Sequence, residues 1–198
     1  MRDYRVQSEI RKPNGRAALR LVSGPFSPLV AQWVADQIGH GLDWGPCEAI
    51  GVVDKHDNLI GGVVFNQYQP QYRNIEVSFA SARANWLTPS LVTGILGYAF
   101  TQLKCNRITS ATPKRNRRAR QFLQKFGFKH EGTVRFGYGD DDAIISGLLA
   151  SEWSQHRFNV SRERSPSLSL APPQPLTPSS LPTLKARQTP RRRVNSSG

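Results

Sequence analysis

Between Cys105 and Arg135 the chain reads CNRITSATPKRNRRARQFLQKFGFKHEGTVR, and these residues parse as strand, loop, helix, strand. Ile108 to Thr112 is rich in β-branched side chains, which suit a pleated surface, and Pro113 ends the run. From Lys114 to Phe126 the apolar positions are Ala119, Phe122, Leu123 and Phe126, the spacing of one helix face. Gly127 follows where helices commonly end in a left-handed residue. Phe128 to Arg135 reads as the next strand.

Upstream, Ala17–Val22 reads as a first strand. Ser27-Pro28 then opens a helix, with Ser as the expected cap and Pro at the first helical position. Its apolar face is Leu29, Val30, Trp33, Val34 and Ile38. Three strands follow at Glu48–Asp54, Leu59–Gln67 and Tyr72–Ala80. The Gly61-Gly62 pair in the second suggests a bulge or bend. The third alternates, with Ile75, Val77 and Phe79 on one face and Glu76 and Ser78 on the other. Thr88-Pro89 opens a second helix with a buried stripe from Leu91 to Phe100, and Ala143–Leu149 closes the order as a last strand. This succession predicts an α+β (mixed α/β) fold, with helices flanking a mixed, mostly antiparallel sheet of six to seven strands.

The 198 residues suit one domain, expected over residues 1–155, followed by a tail over 156–198. From Ser161 onward the chain is dense in Ser and Pro and lacks aromatic residues, so it cannot bury enough apolar surface to offset its ordering entropy. The tail is therefore expected to be disordered and ends in the basic cluster Arg191-Arg192-Arg193. Net charge is +13. The excess lies in the tail and in Lys114–Lys129, which makes nucleic acid a candidate partner through counterion release. A solvated basic surface is the simpler reading. Cys47 and Cys105 form no metal-ligand spacing and are expected as two reduced thiols; no metal is expected. The N-terminal residues hold no apolar run, and Leu91–Phe100 is too short to span a bilayer. A cytoplasmic protein with no membrane partner is expected.

The block from Asn116 to Arg135 resembles the last motif of the GNAT superfamily of acetyl-CoA-dependent N-acetyltransferases. Asn116, Ala119, Phe122-Leu123, Gly127-Phe128 and Glu131-Gly132 carry the resemblance, which extends over roughly residues 15 to 153. The flavour is that of the ribosomal-protein and small-molecule branch, and of GNAT-like proteins of phage genomes, for which the compartment would be the host cytoplasm.

The resemblance implies acetyl-CoA as cosubstrate and an amine, on a protein or small molecule, as acceptor. It places the pantetheine arm along the fourth strand at Val77, Phe79 and Ala80. The pyrophosphate falls on the loop holding Arg83, Asn85, Leu87 and Thr88, where free amides and a helix dipole favour an anion. Asn116 and Ala119 would meet the arm from the last helix. Glu76 is implied as the general base, with Ser78 and Tyr138 as weaker candidates; an exposed carboxylate paired with Arg73 or a lysine is the plain alternative.

The sequence also departs from the family pattern. Trp86 occupies a glycine position of the pyrophosphate loop, where it either obstructs the phosphate or points outward and leaves the amides available. Ala119 stands where the branch often has Ser, and Leu123 where other members have a Tyr acid, so neither proton donor is present. An alternative function follows: a catalytically degenerate GNAT-shaped binding protein using its basic surface and tail on nucleic acid or on a host or virion protein. His40, His56 and His130 read as solvated, and Asp140-Asp141-Asp142 as a solvated hairpin tip.

Overall fold

A computed structural model describes residues 19–39, 43–159 and 172 of the chain. Seven strands, β1 (Arg20–Val22), β2 (Cys47–Val53), β3 (Leu59–Gln69), β4 (Asn74–Ser81), β5 (Arg107–Pro113), β6 (Lys129–Tyr138) and β7 (Asp141–Leu149), form one sheet in the order β1-β2-β3-β4-β5-β7-β6. Every neighbouring pair is antiparallel except β4 and β5. The helices are α1 (Ser27–Ile38), α2 (Pro89–Gly97), α3 (Arg117–Lys125) and α4 (Ala150–Ser154).

Helix α1 covers one face of the sheet, where Val30, Ala31 and Val34 pack with Val22, Val53 and Val64. On the other face Leu91, Val92 and Ile95 of α2 and Leu123 of α3 join Val63, Phe65, Ile75, Val77 and Leu148. Each strand therefore sends alternate residues to two buried layers. That is why Cys47–Val53 is buried throughout rather than at every second position.

Several details differ from the sequence reading. Ser27 does not cap α1; it is the first residue of the helix, and its hydroxyl accepts the buried Ala49 N–H at 2.8 Å, tying α1 to β2. The bulge expected at Gly61-Gly62 is present beside the pair: Gly61 lies opposite Val52 but Leu59 opposite Val53, which leaves Ile60 as the extra residue. The glycines also make room. A Cβ at Gly61 would sit 2.0 Å from the Trp86 indole on one face, and one at Gly62 would sit 2.5 Å from Val34 on the other. The third predicted strand starts two residues later, because Pro70–Tyr72 forms a tight helical turn. The last two strands extend to Tyr138 and begin at Asp141, making one long hairpin. The predicted turn at Gly127 is present, with φ +91°. The 156–198 tail, apart from 156–159 and 172, and the start of the first predicted strand lie outside the described residues.

Candidate active site

The parallel pair β4–β5 holds for only three rungs: Asn74 with Arg107, Ile75 with Ile108, and Glu76 with Thr109. Beyond them Val77–Ser81 and Ser110–Pro113 diverge into a fork. β4 stays paired with β3 on its far side through Ser81, and β5 with β7 through Pro113. The inner backbone edge of each strand is thus left open at the fork, an edge that an extended amide-bearing chain can pair with.

Glu76 stands at the root of the fork, on the α1 face. It is half-buried, and burial raises its carboxyl above the ordinary range. The alternative partner Arg73 is engaged elsewhere, its Nε donating to the Lys104 carbonyl at 2.8 Å. No hydrogen bond or ion pair to Glu76 is found among the described residues. Tyr138 reaches the same fork from β6: its hydroxyl donates to the Ala111 carbonyl at 3.0 Å. Burial, and then the charge of Glu76, push the phenol upward. The hairpin tip that carries Tyr138 is held by Lys114–Asp142 at 2.9 Å and by Arg115, which pairs with Asp141 at 3.0 Å and with Asp140. The three aspartates thus clamp the hairpin to the start of α3. Ser78 lies on the same face as Glu76 and is half-buried.

The opposite side of the fork is aromatic. Phe79 meets Phe122 at 5.5 Å and Phe128 at 6.5 Å between ring centroids, and Phe122 meets Phe126 at 4.8 Å. Trp86 does not point outward. It is 4% exposed, seated over Gly61, and its indole stacks on Phe122 with centroids 6.0 Å apart and planes 13° from parallel. The loop after β4 is thereby joined to α3 by a ring pair.

With the indole turned inward, the outer side of that loop is free. The N–H groups of Ala84, Asn85, Leu87 and Thr88 meet no acceptor among the described residues. Asn85 is left-handed at φ +57°, a conformation that gathers successive amides around an anion. Thr88 caps α2, its hydroxyl accepting from Leu91 N–H at 3.4 Å. Arg83 is exposed and 3.8 Å from Asp54. Asn116 is the cap of α3, its Oδ1 accepting from Ala119 N–H at 3.1 Å. Val77 and Phe79 turn into the α2–α3 layer, whereas Ala80 faces α1. Among the described residues no group of three or more His, Cys, Asp or Glu side chains converges as a metal site, and no helix is long and apolar enough to cross a membrane.

The acetyltransferase (GNAT) domain model matches residues 18–129, more than half of the chain. The chain belongs to the GNAT acetyltransferase family. No curated protein sequence matches it. Among solved structures, a dodecameric spermidine N-acetyltransferase from Vibrio cholerae is 19% identical, with a TM-score of 0.59 over 69% of this chain and 96% of that one. The same type of enzyme from Vibrio cholerae, solved with manganese ions, is 17% identical, with a TM-score of 0.59 over 74% and 97%. A putative acetyltransferase from T. thermophilus is 19% identical, with a TM-score of 0.50 over 59% and 66%. At these identities the likeness is one of fold. Members of the family use acetyl-CoA as cosubstrate, and both the open edge of β4 and the free loop amides suit its extended arm and its pyrophosphate.

Proposed function

We propose that this GNAT-family protein transfers the acetyl group of acetyl-CoA to an amine. The observation that carries the proposal is the fork, which opens one residue after a half-buried Glu76 that has no partner among the described residues. Val77, Phe79 and Ala80 would flank the arm, whose amides pair with the open β4 edge. Arg83, Asn85, Leu87 and Thr88 would hold the pyrophosphate, chiefly through backbone amides. Asn116 and Ala119 would meet the arm at the first turn of α3. Acetyl-CoA supplies an activated acyl group and a thiolate leaving group.

Glu76 takes the proton that the acceptor amine must lose before it can attack. A carboxyl held above its usual range is a better base than a solvated one. Neither Ala119 nor Leu123 can return a proton to sulfur, and Tyr138, pushed upward, is a weak acid. The thiolate therefore departs unprotonated, which its modest basicity allows. Spermidine, the substrate named for the Vibrio cholerae structures, is a reasonable first acceptor to assay.

The test is calorimetric titration with acetyl-CoA, followed by thiol release with spermidine and a panel of primary amines. Binding together with amine-dependent thiol release is expected. Glu76→Gln should lower kcat by about 10²–10⁴ while leaving acetyl-CoA binding unchanged. The stack of Trp86 on Phe122 favours a second reading, a fold retained for binding after loss of the cosubstrate. Absence of acetyl-CoA binding would select it.

A further inference from the structure

We infer that Asn66 of β3 forms, with Glu76, the seat of the acceptor's ammonium group. The inference rests on the acetyltransferase reading and names a residue within it.

Asn66 is the register partner of Glu76 on the neighbouring antiparallel strand. Side chains directly opposite on one face have Cβ atoms about 4.5–5.5 Å apart. Immediately after this rung β3 bulges. Between the Asn66–Glu76 and Gln69–Asn74 rungs, two residues of β3, Gln67 and Tyr68, run against one on β4, Ile75, and Gln67 takes a left-handed φ of +49°. Bulges of this kind re-aim side chains and are over-represented beside active sites.

The Asn66 Oδ1 is buried and meets no hydrogen-bond partner among the described residues. A buried carboxamide oxygen left in that state costs free energy, and it calls for an explanation in the protein's function. Its neighbours on the same face are already engaged. Asn74 Oδ1 accepts from the Thr109 hydroxyl at 3.2 Å, and Thr109 Oγ1 accepts from Arg107 Nε at 3.1 Å. Arg107 in turn grips Glu131 in a two-pronged pair, with one prong at 3.0 Å. Asn66 and Glu76 thus share one face at one rung, and neither the amide oxygen nor the carboxylate meets a donor among the described residues. A primary ammonium is the donor that fits: it carries three N–H groups and a charge that the Glu76 carboxylate offsets. A quaternary ammonium has the charge but no N–H, and leaves the Asn66 oxygen as it is.

In the reaction one N–H of the substrate is held by Asn66 Oδ1 while another proton passes to Glu76. The freed nitrogen lone pair then forms the new C–N bond as the thioester C–S bond breaks, the electron pair leaves on sulfur, and the acylated nitrogen releases its second proton to water to give the neutral amide. Asn66 is thus a binding residue for the amine, and Glu76 takes the proton.

The test needs neither acetyl-CoA nor the natural acceptor. The full-length protein, labelled with ¹⁵N, is titrated with n-propylammonium and separately with n-propyltrimethylammonium. The Asn66 side-chain amide signals should move saturably with the first and stay still with the second. Asn66→Leu should weaken n-propylammonium binding about tenfold, as loss of a charge-assisted hydrogen bond does, and Asn66→Asp should keep it. The spectra themselves report whether each variant is folded. Equal shifts with both amines, no saturable shift, or unchanged binding in Asn66→Leu would each overturn the assignment. A protein that binds n-propylammonium but not acetyl-CoA would instead defeat the acetyltransferase reading and leave the ammonium seat standing.

Discussion

Removing the indole at position 86 should make the protein less stable and bind acetyl-CoA more tightly. Trp86 is 4% exposed and stacks on Phe122 across the space between the loop after β4 and α3. Truncating a buried Trp to Ala typically costs about 3–5 kcal/mol, through lost burial and the cavity left behind. For a domain of this size that lowers Tm by roughly 10 °C. The same ring stands beside the aromatic side of the fork, so in the proposed binding mode a pantetheine arm entering there would displace it. Displacement forfeits the stack, about 0.5–1.5 kcal/mol, and re-exposes part of the indole. A total of about 2 kcal/mol weakens the apparent affinity of the closed form by roughly 30-fold. Trp86→Ala carries no such cost. Its acetyl-CoA Kd, read by calorimetry, should fall by about 10- to 100-fold even as Tm drops. Gly61→Ala approaches the same seat from below: a Cβ 2.0 Å from the indole cannot coexist with it. It should shift stability and affinity in the same two directions. Generic damage would lower both stability and affinity. If Trp86→Ala binds acetyl-CoA no better than the parent, the indole does not lie in the arm's path and this reasoning is wrong.

Two further predictions concern the fold. Burial holds the Glu48 carboxyl up at about 7, against the 4.5 usual for the group, although the Gly24 N–H and the Ser27 hydroxyl work the other way. Between those values the unfolded chain ionises and the folded one does not, so stability falls as pH rises and the penalty is complete above about 7; 2–3 kcal/mol is the order expected. Glu48→Gln should leave Tm unchanged near pH 4 and raise it at pH 8; an equal effect at both would refute the assignment. Ser27→Ala leaves the buried Ala49 N–H without its acceptor. It should cost about 1–3 kcal/mol in urea denaturation and speed hydrogen exchange at the Ala49 amide. An unchanged midpoint would mean another acceptor takes over.

The parts of the fold visible in the sequence were those set by local rules. The stripe of Ala119, Phe122, Leu123 and Phe126, the cap at Asn116 and the left-handed turn at Gly127 each follow from a few neighbouring residues, and each is present. Ser27 shows where that logic stops. Its place before Pro28 made it look like a cap, yet its hydroxyl serves a strand 22 residues away. Gly61 and Gly62 show a related limit: the pair signalled the irregularity in β3, but not the spaces it leaves for Trp86 on one face and Val34 on the other.

The chemistry-bearing positions divide in the same way. Glu76 was legible because strict alternation along β4 puts a carboxylate on the polar face. Asn66 was not, since an Asn near a strand end reads as a fraying, solvated residue. Only the register across two strands, with the bulge that follows, sets Asn66 opposite Glu76. A general base is a property of one residue in its strand, whereas a site for an incoming amine is a property of a rung. A rung exists only once the sheet has chosen its pairing. The residues that select the acceptor are therefore to be sought along the register of β3 against β4 rather than along either strand alone.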